Sequence, residues 1–196
     1  MLTIPPTIVK QMQDHALACY PKECCGILLA KHGSDAAVRC VPLENLADKL
    51  HALDPVENPR DGRDWFSPNE AKLGRHVREA EAQGERWLAL FHSHIDCGAY
   101  FSDEDKRYAA PDGQAVYPEL YQTVIETRAH GVVEARTFRW DGKDYAQVAI
   151  HPDFALTRPV SGVRCPVSDN LRNAPHQVHG DTGARTPDPG PRTPDV

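Results

Sequence analysis

The feature that most constrains this chain is an apolar run at residues 87–91, WLALF, which leads directly into His92-Ser93-His94. A continuous apolar run of this length is typical of a strand that is buried on both faces of a sheet. Side chains two residues apart on a strand point to the same face. The two imidazoles are therefore expected to lie side by side on a rigid central strand, where they can bind one metal ion.

Asp105 is the predicted third ligand, eleven residues after His94 and on the first turn of a predicted helix. Two histidines and one carboxylate leave a fourth zinc position for water, which is the pattern of a catalytic site. The Ser102-x-x-Asp105 spacing is also that of an ordinary helix capping box. Both interpretations are compatible, because a capped helix start is a rigid platform for a ligand. Asp96, Asp103 and Glu104 are the nearby alternatives.

Glu23 and Ser102 are the candidate catalytic residues. A carboxylate near a zinc-bound water can take its proton and pass it to a leaving amine, although a surface glutamate equally explains Glu23 in the sequence alone. Ser102 can donate a hydrogen bond to the oxyanion that develops on a scissile carbonyl. Cys97 follows the histidine pair closely, and a buried or idle thiol is its simplest interpretation.

Apolar periodicity and turn residues predict an α+β domain at residues 1–158. Thr7 and Ser67 are the predicted N-caps of two helices, with Pro68 and Glu70 completing the second helix start. Residues 44–63 are predicted to form a long polar loop. Strands are predicted at 26–30, 36–43, 64–66, 87–91, 121–127, 132–140 and 145–150.

Composition separates a tail from the domain and excludes several functions. Residues 159–196 hold seven prolines and few apolar clusters, so a disordered tail is predicted. The net charge of −6, with no basic block, gives no reason to expect nucleic-acid binding. No signal peptide and no apolar stretch of about 20 residues is present, so a cytoplasmic location away from the membrane is expected.

The spacing His92-Ser93-His94-x7-Ser102-x2-Asp105, with Glu23-Cys24-Cys25-Gly26 upstream, resembles the signature of the JAMM (MPN+) metalloproteases. The resemblance covers most of residues 1–150. It implies a cytidine-deaminase-like fold, with a central mixed sheet flanked by helices. It also implies one catalytic Zn²⁺ on His92, His94 and Asp105, with Glu23 polarising the water and Ser102 supporting the tetrahedral intermediate.

The implied reaction is hydrolysis of a peptide or isopeptide bond after the C-terminal glycine of a ubiquitin-like protein. The short domain is similar to small stand-alone bacterial members associated with sulfur-carrier proteins that end in Gly-Gly. Many members have proline after the second histidine, whereas this chain has Ile95. Residues 44–66 and 95–101 are the predicted walls of a groove for the carrier tail.

Two other functions remain open at this point. Residues 92–96, HSHID, resemble part of the His-x-His-x-Asp-His motif of metallo-β-lactamase-like hydrolases, but Cys97 replaces the last histidine. That alternative requires Asp96 as a ligand, whereas the JAMM interpretation requires Asp105. A non-catalytic MPN module that only holds partners is the second alternative, and the presence of all five signature residues argues against it.

Overall fold

The computed structural model describes residues 1–151, so the predicted disorder at 159–196 and the boundary at 158 lie outside the described residues. Within this range the chain alternates short helices and strands, as expected for an α+β domain. The elements are β1 (Leu2–Thr3), α1 (Pro6–Cys19), β2 (Cys25–Lys31), β3 (Ala37–Leu43), α2 (Ala47–Leu53), α3 (Glu70–Ala82), β4 (Glu85–Ile95), α4 (Asp103–Ala109), β5 (Tyr121–Arg128), β6 (Gly131–Trp140), β7 (Tyr145–Val148) and β8 (Ile150–His151).

Six strands form one mixed sheet in the order β3-β2-β4-β5-β6-β7. The pairing of β4 with β5 is parallel, and the other four pairings are antiparallel. Parallel neighbours need a crossover connection, and here that connection contains α4. Strands β1 and β8 form a separate two-stranded parallel pair. The predicted central mixed sheet is confirmed, and β4 lies inside it.

Helices pack on both faces of this sheet. On one face, the buried side of α1, including Met12, packs in a cluster with Leu28 and Phe91. On the other face, α3 packs in a cluster that contains Ile27 and Leu90. The end of α4 joins a third cluster with residues of β5 and β6. Ile27 and Leu28 therefore belong to different clusters, as do Leu90 and Phe91, which is the alternation expected of a strand.

Gly26 on β2 lies opposite Phe91 of β4, and the space between them has no room for a side chain. A Cβ at position 26 would lie 2.3 Å from Phe91 Cζ and 2.8 Å from the carbonyl oxygen of Val41. We expect Gly26→Ala to lower the free energy of unfolding by about 1–3 kcal/mol, the usual cost of overpacking a core. Urea denaturation measures this change.

Gly74→Ala is the matched control for that substitution. Gly74 lies within α3, where the nearest atom to an added Cβ is the end of the flexible Arg78 side chain, at 3.2 Å. Alanine favours an α-helix by about 1 kcal/mol over glycine, so this variant is expected to be as stable as the wild type or more stable. Equal unfolding free energies for the two variants would contradict the steric explanation.

Several predicted boundaries were wrong in detail. Helix α1 begins at Pro6, because proline suits the first helical position, and Thr7 is not its cap. Helix α3 begins at Glu70, and its N-cap is Asn69, whose side chain accepts the backbone N–H of Lys72, rather than Ser67. The predicted loop at 44–63 contains α2, and residues 64–66 form no strand. None of the helices in residues 1–151 combines the length and apolar character needed to cross a bilayer.

Candidate metal centre

Strand β4 includes both histidines near its C-terminal end. Their imidazoles project from this end of the strand toward the start of α4. His92 Nε2 lies 3.2 Å from His94 Nε2. Asp105 Oδ1 lies 3.3 Å from His92 Nε2, and Asp105 Oδ2 lies 3.4 Å from His94 Nε2. All three side chains are buried, with exposed fractions of 0%, 6% and 5% for His92, His94 and Asp105. The three predicted ligands are therefore together in one buried group.

These distances fit a tetrahedral ion. Bonds of about 2.0–2.1 Å to zinc at a tetrahedral angle put neighbouring ligand atoms roughly 3.3 Å apart. The two histidine nitrogens lie 3.2 Å apart, and each lies 3.3–3.4 Å from its nearer Asp105 oxygen, Oδ1 for His92 and Oδ2 for His94, which is close to that edge length. Among residues 1–151, His92, His94 and Asp105 are the one group of histidine, cysteine or acidic side chains whose ligand atoms converge closely enough to hold an ion. The donor set suits zinc.

Neighbouring groups orient two of the ligands. His94 Nδ1 lies 3.2 Å from the carbonyl oxygen of Gly98, which can only accept, so the Nδ1 nitrogen carries the proton and Nε2 keeps its lone pair. Ser102 donates its backbone N–H and its hydroxyl to Asp105 Oδ2, at 2.8 Å and 2.7 Å. Asp105 Oδ1 is thereby left directed toward His92. Ligand orientation by outer hydrogen bonds of this kind is typical of metal sites.

The protonation states also suit a metal. Burial lowers the pKa of His92, although the nearby Asp105 charge acts in the opposite direction. Burial on its own raises the pKa of Asp105. Hydrogen bonds from His92 and His94, and the attraction of either imidazole while it is protonated, outweigh burial and hold that pKa well below its usual range. An ionised carboxylate and a neutral imidazole are the forms that bind a cation.

Ser102 and Asp105 form the predicted capping box at the start of α4, since Asp105 N–H also donates to Ser102 Oγ at 3.1 Å. We expect Ser102→Ala to lower the free energy of unfolding of the metal-free protein by about 1 kcal/mol through loss of the cap. Because the same side chain fixes a ligand oxygen, Zn²⁺ affinity is expected to fall by roughly 10- to 100-fold. Urea denaturation and competition with a chromogenic chelator measure the two effects.

Asn69→Ala is the control for this prediction, because it removes the cap of α3 without contact to the metal group. Its unfolding free energy is expected to fall by a similar amount, about 1 kcal/mol, with Zn²⁺ affinity unchanged. Equal Zn²⁺ affinities for Ser102→Ala and the wild type would show that the hydroxyl does not orient the ligand.

Glu23 lies two residues before Cys25, the first residue of β2. Cys25 pairs with His92, so Glu23 comes from the end of the sheet where the histidines lie. The connection is tight, because Ser93 N–H donates to the Cys24 carbonyl at 3.0 Å and Cys24 N–H donates to Ser93 Oγ at 2.8 Å. Glu23 itself is buried, with 6% of its surface exposed.

The nearby alternatives to Asp105 are occupied elsewhere or exposed. Asp96 has a left-handed backbone at φ 59°, and its carboxylate accepts a hydrogen bond from the Tyr20 hydroxyl at 3.2 Å. Glu104 is paired with Arg107, and Asp103 is exposed. Cys97 is half-buried in the loop after β4 and does not belong to the metal-binding group. The ligand set required by the metallo-β-lactamase-like alternative, with Asp96, is therefore not assembled.

Phe66 is a residue of this site that the sequence analysis did not single out. Its ring stacks on the imidazole of His92, with centroids 4.3 Å apart and planes 15° apart. The Phe66 ring is buried, with 3% exposed, and it closes one side of the ligand group. The one indication in the sequence was that Phe66 is a large aromatic residue in the mostly polar segment after residue 44.

A model of prokaryotic homologues of the JAB domain matches residues 5–140, which include Glu23, both histidines, Ser102 and Asp105. The chain belongs to this family. The fold agrees, since a solution structure of a protein from Desulfitobacterium hafniense matches with a TM-score of 0.59 at 25% identity, covering 76% of this chain and 91% of that one. A Salinibacter ruber protein matches with a TM-score of 0.53 at 19% identity, covering 81% and 97%.

Named relatives of this JAB-domain chain are peptidases. The CysO-cysteine peptidase of Mycobacterium tuberculosis is 27% identical over 141 residues, which is 71% of this chain and 82% of the relative. The CysO-cysteine peptidase of Mycobacterium bovis matches with the same identity and coverage. The JAB domain and these two relatives support a peptidase or hydrolase.

Proposed function

We propose that this protein is a zinc-dependent peptidase that hydrolyses the amide bond after the C-terminal glycine of a ubiquitin-like sulfur-carrier protein. The observation that carries the proposal is the buried group of His92, His94 and Asp105, whose possible ligand atoms converge closely enough to hold one ion. Membership of the JAB-domain family and the similarity to CysO-cysteine peptidases support the reaction and the class of substrate.

Each site residue has a defined task in this reaction. Zinc, when bound, supplies Lewis acidity and makes hydroxide available near neutral pH. Glu23 takes the proton of the attacking water and delivers it to the leaving amine. Ser102 donates to the oxyanion of the scissile carbonyl, which first requires its hydroxyl to turn away from Asp105 Oδ2, where it donates at 2.7 Å.

A cavity of about 710 Å³ beside the metal group supports an extended peptide as the substrate. Its lining is mainly apolar and reaches from Trp87 and Tyr117 to Phe66 and Asp105. Of the two predicted wall segments, 44–66 and 95–101, only Phe66 and Phe101 contribute to it. The remaining lining residues are Pro68, just before α3, and residues of α3, α4, the segment after α4 and the strands beneath them.

The burial of the ligand group favours a Gly-Gly terminus. His92, His94 and Asp105 expose at most 6% of their surface, so a reacting carbonyl must come close to the protein backbone to reach them. Glycine has no side chain to obstruct such an approach. The residues before the two glycines would then occupy the apolar cavity, where side-chain burial supplies affinity.

Intact-mass spectrometry tests the proposed function. A Gly-Gly-ending sulfur-carrier protein with an added C-terminal cysteine is the main substrate, and a linear ubiquitin fusion is the comparison. The zinc-loaded protein is expected to remove the added cysteine, and a chelator is expected to stop the reaction. No cleavage of either substrate by protein that holds one zinc would reject the proposed substrate class and favour a non-catalytic binding module.

Tyr117 provides a test of the cavity as the substrate site. Its side chain is 54% exposed, and its ring packs 5.1 Å from that of Trp87 at the far end of the cavity. We expect Tyr117→Ser to raise KM about 10-fold with kcat unchanged, because binding is lost equally in the ground state and the transition state. Steady-state kinetics on the carrier–cysteine substrate measures both constants.

Val56→Ser is the control for Tyr117→Ser, since Val56 is 84% exposed and lies outside the cavity lining. Its kinetic constants are expected to equal those of the wild type. An unchanged KM in Tyr117→Ser would indicate that the carrier tail binds at another surface.

A further inference from the structure

Asn45, at the start of the segment before α2, makes hydrogen bonds through its whole amide group. Its Nδ2 donates to the carbonyl oxygens of Glu23 and Trp65, both at 3.0 Å. Its Oδ1 accepts the backbone N–H groups of Ala47 and Ser67, both at 2.9 Å. A side-chain amide has two donor hydrogens and two acceptor lone pairs, so these four bonds use its full capacity.

These four bonds join parts of the chain that are distant in sequence. Glu23 precedes Asn45 by 22 residues and Trp65 follows it by 20. Between Trp65 and Ser67, both held by the same amide, lies Phe66, whose ring stacks on His92. One side chain therefore connects the backbone of the proposed general base to the residue that packs against a metal ligand.

The Glu23 backbone is held from the opposite side as well. Its N–H donates to the carbonyl oxygen of Gly62 at 2.6 Å. Gly62 is in turn fixed by its own N–H, which donates to Asp48 Oδ1 at 2.9 Å. Asn45 and Gly62 thus hold the two backbone polar groups of Glu23, and both belong to the segment that was predicted to be a simple polar loop.

We propose that Asn45 is a positioning residue for catalysis, which holds Glu23 and Phe66 in a fixed relation to His92. Asn45 acts through these two residues and contacts neither the substrate nor the ion. The inference rests on the proposed function, because it assumes that Glu23 is the general base. Proton transfer requires donor and acceptor at hydrogen-bond distance, so a small displacement of the Glu23 backbone slows the reaction without removing the metal.

A purely structural role for Asn45 makes different predictions. If the amide only caps the turn before α2, its loss lowers stability and exposes the N–H groups of Ala47 and Ser67, with kcat unchanged per folded molecule. If Asn45 positions Glu23, its loss also accelerates hydrogen exchange at the Glu23 N–H. This occurs although the substitution does not alter the Gly62 carbonyl, the acceptor of that N–H.

The test compares Asn45→Ala and Asn45→Asp in the full chain. Alanine removes all four hydrogen bonds, whereas aspartate keeps an acceptor for Ala47 and Ser67 but loses the donors to Glu23 and Trp65. Asn58→Ala is the matched control, because Asn58 Nδ2 donates to the backbone carbonyl of Asp54, at 3.3 Å, away from the metal group. The measurements are zinc content, kcat and KM, and amide hydrogen exchange with and without zinc.

Both Asn45 variants are expected to keep one zinc, to lose about 10-fold or more in kcat, and to change KM less than twofold. Amide exchange at Glu23 is expected to accelerate in both, and Asn58→Ala is expected to behave as the wild type. In a Glu23→Gln background, Asn45→Ala is expected to lower kcat no further, because two residues that act through the same step are not additive.

Three results would overturn the proposal. The first is an unchanged kcat in the Asn45 variants, and the second is an equally large further loss of kcat when Asn45→Ala is added to Glu23→Gln. The third is faster amide exchange that is confined to Ala47 and Ser67. Failure of the proposed function is distinguishable from these. If the zinc-loaded wild type cleaves nothing, the peptidase assignment fails, and hydrogen exchange alone decides the role of Asn45. Faster exchange at Glu23 then supports Asn45 as the residue that holds the Glu23 backbone in place, and protection equal to the wild type at Glu23 overturns that role.

Discussion

Glu23→Gln is expected to lower kcat by about 10²- to 10⁴-fold, the usual contribution of a general base, while one zinc stays bound. The amide keeps the shape of the side chain but has no basic oxygen that can accept the proton of water. Glu23 is not among the three converging ligands, so zinc content is expected to be unchanged. Single-turnover cleavage of the carrier–cysteine substrate, with metal analysis of the same samples, measures both quantities.

Glu119→Gln is the control for that substitution, because Glu119 is exposed in the segment before β5. Its cleavage rate is expected to equal that of the wild type. A Glu23→Gln protein that holds zinc and cleaves at the wild-type rate would remove Glu23 from the mechanism and leave the metal site intact.

Asp105→Asn is expected to abolish both zinc binding and cleavage, even though the new side chain has the same shape. Ser102 donates two hydrogen bonds to Asp105 Oδ2, so the amide oxygen of asparagine will occupy that position. The NH₂ group is then directed toward His92, where it cannot bind a cation. We expect Zn²⁺ affinity to fall by more than the roughly 100-fold that loss of an outer hydrogen bond can cause.

Thermal unfolding gives a second measurement for the same variant. An ion that binds only the folded protein stabilises it by about 4 kcal/mol when its concentration is 1,000 times its dissociation constant. Wild-type protein is therefore expected to lose stability when a chelator is added, whereas Asp105→Asn is expected to show no chelator effect. Asp103→Asn and Asp96→Asn are the controls and should keep the wild-type response, and loss of zinc in Asp96→Asn would contradict the ligand assignment.

The metal group could be predicted from the sequence because its geometry is local. His92 and His94 share a face by strand alternation alone, and the Ser102-x-x-Asp105 spacing fixes the first turn of α4. The one contact that is not local is that of Asp105 with the histidines, which depends on the path of the connection between β4 and β5. The resemblance to the family signature implied this contact. The structure brings His92, His94 and Asp105 into one group and begins α4 with the capping box of Ser102 and Asp105.

The surroundings of the metal group were harder to predict, because they depend on contacts between distant residues. Asn45 reaches Glu23 and Trp65 across about 20 residues each way, and no local pattern marks such a side chain. Helix α2 has only 7 residues, about two turns, so its apolar periodicity is too short to detect. At the start of α3, Ser67 and Asn69 were both suitable caps, and only the tertiary bonds of Ser67 decide between them.

The crossover that carries Asp105 has a consequence for the exchange of the ion. His92 and His94 lie on one strand, whereas Asp105 comes from the connection to the next, so a bound ion would close a loop over the ten residues between His94 and Asp105. Local opening of the start of α4 would be enough to release the ion, without unfolding of the sheet. The lifetime of the bound metal should therefore be set by the opening rate of this one helical turn. The rate of metal exchange would then measure a local motion that the rest of the domain does not share.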